Sequence, residues 1–459
     1  MSESKMSRRK YVAAAGGIAV VAVIGGVAAY YLTRPAPPTP KELSIFGQGP
    51  SVEETVMEEL AKRWKRDHPN FEIKTEWTGG AGGVGYIDAL KAKVLAGAAS
   101  DIMWDNSGTH GEDVIAMGGL ASLKEFYDKY KIWDRVIGGD PAKNPNSMAV
   151  LLVYSPTEPP KYVSPPAPNA EPYFVGTNAV AWGMFYNPAI FDQYHVDPDI
   201  QTWDELSAAC ETFKRERVIP IAIQAQAPWE VEHFFDILLV NVKGGCIDNP
   251  KLLSQVLKGE AAWTDEPFMN AMKYYQDYRD KGYFQEGALG MDPDSVTLLF
   301  TEGKSAMYCQ GSWMIATMKE TAPDFKFDIL PNCWPTIRTD KKKYIIGGCC
   351  QGWGLNPKAK NKEDVYEFFE FMTRPEQMSL WPELVKELCI YKDVTPLKDP
   401  LYNKFGAMFP NMYIWIDQIF GSLMRDRLRL NLKGFINLEM SGEQVLTDLE
   451  AYSKTVRQG

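Results

Sequence analysis

YFVGTNAVAWGMFYNPAIFDQYHVDPDIQTWDEL, from Tyr173 to Leu206, is the stretch whose reading decides the fold. An apolar, aromatic run ends at Tyr186, a short helical piece follows from Asn187 to Tyr194, and a linker leads to a new helix start at Thr202. In the string Thr202-Trp203-Asp204-Glu205-Leu206 the threonine caps a helix and Glu205 completes a capping box. Trp203, Leu206, Cys210 and Phe213 then fall on one helical face. The stretch reads as a crossing between two lobes.

Its surroundings agree. At 459 residues the chain is longer than one hydrophobic core usually serves, so two domains are expected. The formal net charge of -10, with no long basic run in the body, lacks the footprint of a nucleic-acid binder. The seven cysteines form no CxxC pair, and with only four histidines a zinc site of ordinary spacing is not expected. Outside the cytoplasm one or two disulfides are expected among Cys309, Cys333, Cys349 and Cys350, the alternative being buried free thiols.

The amino terminus points outward. Arg8, Arg9 and Lys10 precede an uncharged, mostly apolar run from Tyr11 to Leu32, long enough to cross a bilayer as a helix. The positive flank holds the terminus inside and sends the body out. Residues 1-33 are therefore read as an export signal and membrane anchor, left uncleaved, and the proline-rich 34-42 as a stiff spacer. SRRKYVA, Ser7 to Ala13, also resembles the twin-arginine export signal. The expected location is extracytoplasmic, at the cell surface, tethered by that N-terminal helix.

Leu43 to Phe46 reads as a first strand, and Ser51-x-x-Glu54 opens a helix with Val56, Met57, Leu60, Ala61 and Trp64 on its apolar face. Phe71, Ile73 and Thr75 alternate with charged residues as a second strand, one face of it wet. Gly80, Gly82 and Gly85 then match the GxGxxG dinucleotide fingerprint, with Asp105 where a ribose-binding acid would be sought. That fingerprint normally ends a buried first strand, whereas this one follows a second strand carrying Lys74 and Glu76. A glycine loop at a cleft edge is the better reading. From Asp140 to Pro172, prolines crowd around one expected strand, Ala149 to Tyr154, in a surface elaboration.

Several strings together resemble family 1 extracellular solute-binding proteins, the maltose-binding group. They are GAASDIMWDNS from Gly97, AMGGLASLKEFYDKY from Ala116, and the Phe185-Tyr186-Asn187-Pro188 ending of the crossing strand. TWDEL from Thr202, LLFTEGKSAMYCQGSWM from Leu298, and NKEDVYEFFEFMTRPEQ from Asn361 continue the likeness, which covers the body from Leu43 to Val456. The resemblance implies an α/β, two-lobed periplasmic-binding-protein-like (type II) fold with an interlobe hinge. Lobe 1 would comprise 43-179 and 332-390, and lobe 2 would comprise 180-331 and 391-459. It implies a monomeric binding component of an ABC importer that closes on a sugar and hands it to a membrane permease, with no catalysis, cofactor, metal or nucleic acid.

A sugar needs flat aromatic surfaces for its CH faces and Asp, Glu, Asn or Gln for its hydroxyls. Carried over residue by residue, the resemblance points to Trp313 after the Gly303-Lys304-Ser305-Ala306-Met307 strand and to Trp229 with Gln226. It also points to Trp104 with Asp105, and to Gln48 in the first loop. Trp182 in the crossing strand and Trp353 complete the set. Some relatives carry a carboxylate in that crossing strand, where this chain has Val180, Ala181, Trp182 and Gly183. The competing readings are an exported nicotinamide-dependent oxidoreductase using the 80-85 loop and a glycoside hydrolase with two carboxylates facing one cleft.

Overall fold

Leu43, Ile45 and Phe46 are buried because Lys41–Gln48 runs through the interior of a sheet rather than along its edge. The computed structural model describes residues 41–49, 51–79, 85–144, 147–155, 169–226, 228–349 and 351–458. The Tyr11 to Leu32 segment, most of the spacer, Gly80 to Val84 and Cys350 lie outside the described residues. Among those described, no helix is long and apolar enough to cross a membrane.

The first sheet orders its strands as Phe71–Thr78, Lys41–Gln48, Ile102–Asn106, Gln351–Leu355 and Val175–Gly176. The first three are parallel, and Gln351–Leu355 is antiparallel to Ile102–Asn106. Phe71–Thr78 is an edge strand, which explains its alternating exposure. Ser51 caps the helix Val52–Asp67, its hydroxyl accepting from the Glu54 N–H at 3.1 Å, and Val56, Met57, Leu60, Ala61 and Trp64 are buried as the periodicity predicts.

The second sheet runs Met412–Ile414, Ile345–Gly348, Asn178–Tyr186, Ser305–Gly311 and Ile219–Ala222. Asn178–Tyr186 is its central strand, and Asp328–Ile329 and Leu388–Cys389 pair with it as well. The next helix, Trp203–Arg215, carries the expected capping box at Thr202 and buries Trp203, Leu206, Ala209, Cys210 and Phe213.

The chain passes between sheets three times, always near Thr177. Val175–Gly176 belongs to the first sheet and Asn178–Tyr186 to the second. Ile345–Gly348 pairs with Val180 and Ala181 of the second sheet, and Gln351–Leu355 returns to the first. The return therefore falls between Gly348 and Gln351, later than the 332 boundary read from sequence, and Asp328–Ile329 stays with the second sheet. Leu388–Cys389 makes the third passage beside Asn178 and Ala179. There Asn178 donates to the buried Glu387 carboxyl. Burial first, and the Glu53 carboxyl second, push Glu387 above the usual carboxylate range.

Two expectations change. The 149-154 segment is mostly a 3-10 turn, Val150–Leu152, followed by a two-residue strand, Val153–Tyr154, paired with Glu171–Pro172. Cys309, Cys333 and Cys349 are free thiols, as are the other described cysteines, and Cys309 packs against the Met184 sulfur at 3.4 Å.

Candidate functional site

Parallel strands present their carboxyl ends, and the loops after them, to one side of a sheet. Gln48 lies beside Thr78, and Ile102–Asn106 runs alongside, so these three ends share one edge of the first lobe. Past Asn106 the chain turns through Gly108, at φ +74, into the helix Thr109–Ala116. A Cβ on Gly108 would lie 2.6 Å from Gln418 Cβ, so the missing side chain is what lets the Ile416–Gln418 turn approach. Asp113 on that helix accepts from Lys91 Nζ at 2.8 Å and from Ser422 Oγ at 3.0 Å. The two lobes touch here.

On the other side, Ile219–Ala222 and Ser305–Gly311 are parallel and end together near Trp182, whose cross-strand neighbour is Gly311. A Cβ on Gly311 would meet the Trp313 ring at 2.0 Å, so that ring lies against bare backbone. From it a series of rings runs through the second lobe. Trp313 and Trp415 are 6.3 Å apart, Trp415 and His233 4.5 Å, and His233 and Trp182 5.7 Å. Trp182 itself stacks on Trp334 at 5.6 Å.

Polar groups run beneath the rings. Gln224 Nε2 donates to the Tyr308 hydroxyl at 2.8 Å, and Gln310 Nε2 donates to Glu230 Oε1 at 2.9 Å. Burial pushes Glu230 up to about 7, with Gln310 and the Trp229 indole partly offsetting it. Asp105, 1% exposed, is raised well above the usual carboxylate range by burial. The Asn106 N–H and Lys91 oppose that shift, and Asp113 adds to it. Both Asp105 oxygens, Ser107 Oγ, Glu230 Oε2 and the indole N–H groups of Trp182, Trp353 and Trp415 have no hydrogen-bond partner among the described residues. Buried polar atoms are nearly always paired, and further exceptions lie elsewhere in the structure, at Trp64, Trp263 and Trp381 among others.

The residues expected from sequence fall into separate groups. Trp182 and Trp313 belong to the ring series, and Trp229, half-buried, sits against Glu230. Trp104 and Asp105 point to opposite faces because neighbours in a strand must. Trp104 packs on Tyr86 at 5.4 Å, while Trp353, opposite it in the sheet, meets Trp77 at 6.3 Å. Gln48 is half-buried at its strand end, and its carbonyl accepts from Ser51 Oγ. Gln226 is exposed, its carbonyl accepting from Lys433 Nζ at 2.8 Å. Sequence reading missed Glu230, His233 and Trp415. The signal for Glu230 was available, since it stands beside Trp229 at the start of a helix that runs into Phe234, Phe235, Ile237 and Leu238.

The glycine run lacks the setting a dinucleotide needs, because it follows the edge strand Phe71–Thr78 and not a central first strand. Among the described residues no group of three or more His, Cys, Asp or Glu is placed to hold a metal ion. An open groove of about 830 Å³, lined by Lys243, Tyr274, Asp277 and Glu443 among others, shares no residue with the junction.

Comparison with known proteins fits this arrangement. The sequence profile of the bacterial extracellular solute-binding proteins matches residues 49–379. An uncharacterized ABC transporter extracellular-binding protein from Pyrococcus horikoshii is 26% identical over 267 residues, 57% of this chain and 53% of that one. The chain thus spans about half the length of that curated relative. A multiple sugar-binding protein from Streptococcus mutans is 21% identical over 394 residues, 83% of each chain. The structure of a chitin oligosaccharide binding protein superposes with a TM-score of 0.73 at 18% identity, covering 91% of this chain and 99% of that one.

Proposed function

Because this chain belongs to the bacterial extracellular solute-binding proteins, we propose that it is the extracytoplasmic binding component of an ABC importer. In this reading it holds a sugar or oligosaccharide between its lobes and delivers it to a membrane permease. The observation that carries the reading is the ring series Trp313, Trp415, His233 and Trp182, laid beside buried polar atoms that lack protein partners. Flat apolar faces edged by hydrogen-bonding groups match the two surfaces of a pyranose. Of the three relatives named, the sugar-binding and the chitin-oligosaccharide-binding proteins support a saccharide.

The lobes close by rotation about the three passages near Thr177, and a ligand touching both faces favours the closed form. The residues from Tyr11 to Leu32 tether the protein to the outer face of the membrane, and a monomer suffices for the work. The family's task is to bind and release, so no product is expected. A thermal-shift screen across mono- and oligosaccharides tests this. A true ligand at a hundred times its Kd adds about 2.7 kcal/mol of stability by mass action. A panel that leaves the melting temperature unmoved, or a saccharide that is steadily hydrolysed, overturns the reading.

A further inference from the structure

We propose that Glu230 is the specificity-determining residue of the second lobe, its second oxygen accepting a hydrogen bond from a hydroxyl of a neutral saccharide and disfavouring acidic saccharides. This rests on the saccharide reading above. Glu230 lies in the first turn of the helix Pro228–Asn241 and is 4% exposed. One oxygen is fixed by Gln310, whose own amide also reaches the Tyr308 hydroxyl at 3.2 Å. The other, Oε2, is buried with no hydrogen bond of ordinary geometry, the Trp229 indole being the one donor besides Gln310 that acts on the carboxyl. Gln310 immediately precedes Gly311, the residue on which the Trp313 ring rests and which pairs with Trp182. Gln310 and Gly311 face opposite sides of their strand, but His233, one turn along the helix from Glu230, meets the Trp182 ring at 5.7 Å, so the carboxyl borders the ring series with one oxygen held by Gln310. A group meant only to support the fold would be satisfied at both, since an unmet buried polar atom is costly.

The chemistry follows from what faces it. From the neighbouring strand come Gln310, the Tyr308 hydroxyl and the Cys309 thiol, all neutral. From its own helix come the Trp229 indole, His233 and Glu232. From the helix Ser422–Ile436, Arg429 reaches in but is engaged by Glu232 at 2.6 Å. Lys433 is spent on the Gln226 carbonyl. A uronate carboxylate placed beside Glu230 would meet a second acid while Arg429 is already paired with Glu232, whereas a hydroxyl supplies a donor for Oε2. A hydroxyl bonds more strongly to a carboxylate than to a carboxylic acid, so binding favours the ionised form. With Glu230 titrating at about 7, affinity for a neutral ligand rises from pH 6 to pH 8.

The test is titration calorimetry on the full chain with the neutral oligosaccharide that gives the largest thermal shift, and with its uronic-acid counterpart, at pH 6, 7 and 8. Wild type is expected to bind the neutral sugar more tightly as pH rises and the uronate at least ten-fold more weakly. Glu230→Gln, which keeps an acceptor for Gln310, is expected to lose roughly ten-fold in affinity and to flatten the pH profile. A purely structural role would move the melting temperature and leave that profile unchanged. Glu230→Gln binding with wild-type affinity and pH dependence overturns the assignment while leaving the saccharide reading standing. No saccharide binding to wild type overturns both.

Discussion

The two faces of the junction hold their buried acids differently. On the second lobe, Glu230 is anchored by Gln310 and stands in the first turn of the helix whose His233 meets Trp182 and Trp415. On the first, Asp105 has no side-chain partner, only the neighbouring Asn106 N–H acting on it, and Ser107 nearby is unmet. One face is organised before a ligand arrives, and the other is organised by what arrives. That is the division of labour a closing cleft needs, since a face complete in itself gains nothing from closure.

The largest effect should come from the strand on which the organised face is built. Trp182→Ala removes a fully buried indole stacked on Trp334, and about 3–5 kcal/mol of stability should be lost in urea unfolding. A loss under about 1 kcal/mol would mean that the ring series is not part of the core it borders.

Gly311→Ala comes next. Its methyl would occupy the place of the Trp313 ring, so the ring must swing away. This variant should weaken saccharide binding as much as Trp313→Ala does, about 1–3 kcal/mol by calorimetry, even though the indole is still present. Retained affinity in Gly311→Ala would show that the ring's position is irrelevant to the ligand.

The smallest effect, near zero at acid pH, belongs to the unorganised face. The Asp105 carboxyl is raised in the folded protein, so wild type loses stability as pH climbs past the unfolded value of 3.8 toward the folded one. Asp105→Asn removes that loss: the variant should match wild type near pH 3 and be the more stable of the two at pH 8. Thermal melts at the two pH values decide it. A variant less stable at both would place a hydrogen-bond partner on Asp105 after all.

Much of the fold was legible because it is written locally. The capping box at Thr202, the apolar face from Val56 to Trp64 and the wet edge strand at Phe71 each follow from a few adjacent residues. The family motifs supplied the two lobes. The second passage between sheets was placed too early, because the pairing of Gly347 and Gly348 with Ala181 and Val180 depends on register between distant segments. The site was half legible for the same reason. Trp182 and Trp313 could be named from motifs. Trp415 could not, since only the tertiary fold brings its C-terminal segment to His233. Glu230 was passed over as an ordinary acid of a helix start, where an exposed carboxylate is the usual finding.

The late return of Gln351–Leu355 to the first sheet also governs how the molecule is made. Ile102–Asn106 has Lys41–Gln48 on one side early in synthesis, but its other neighbour emerges only after almost the whole second sheet. Until then one edge of the growing sheet stays open, and Trp104 waits for Trp353. Pairings that span so much chain are slow to form and leave exposed edges that invite misassembly. The amino-terminal lobe therefore begins first yet is sealed only late, and a ribosome-stalled or truncated chain ending before Gln351 should carry an unsealed first sheet.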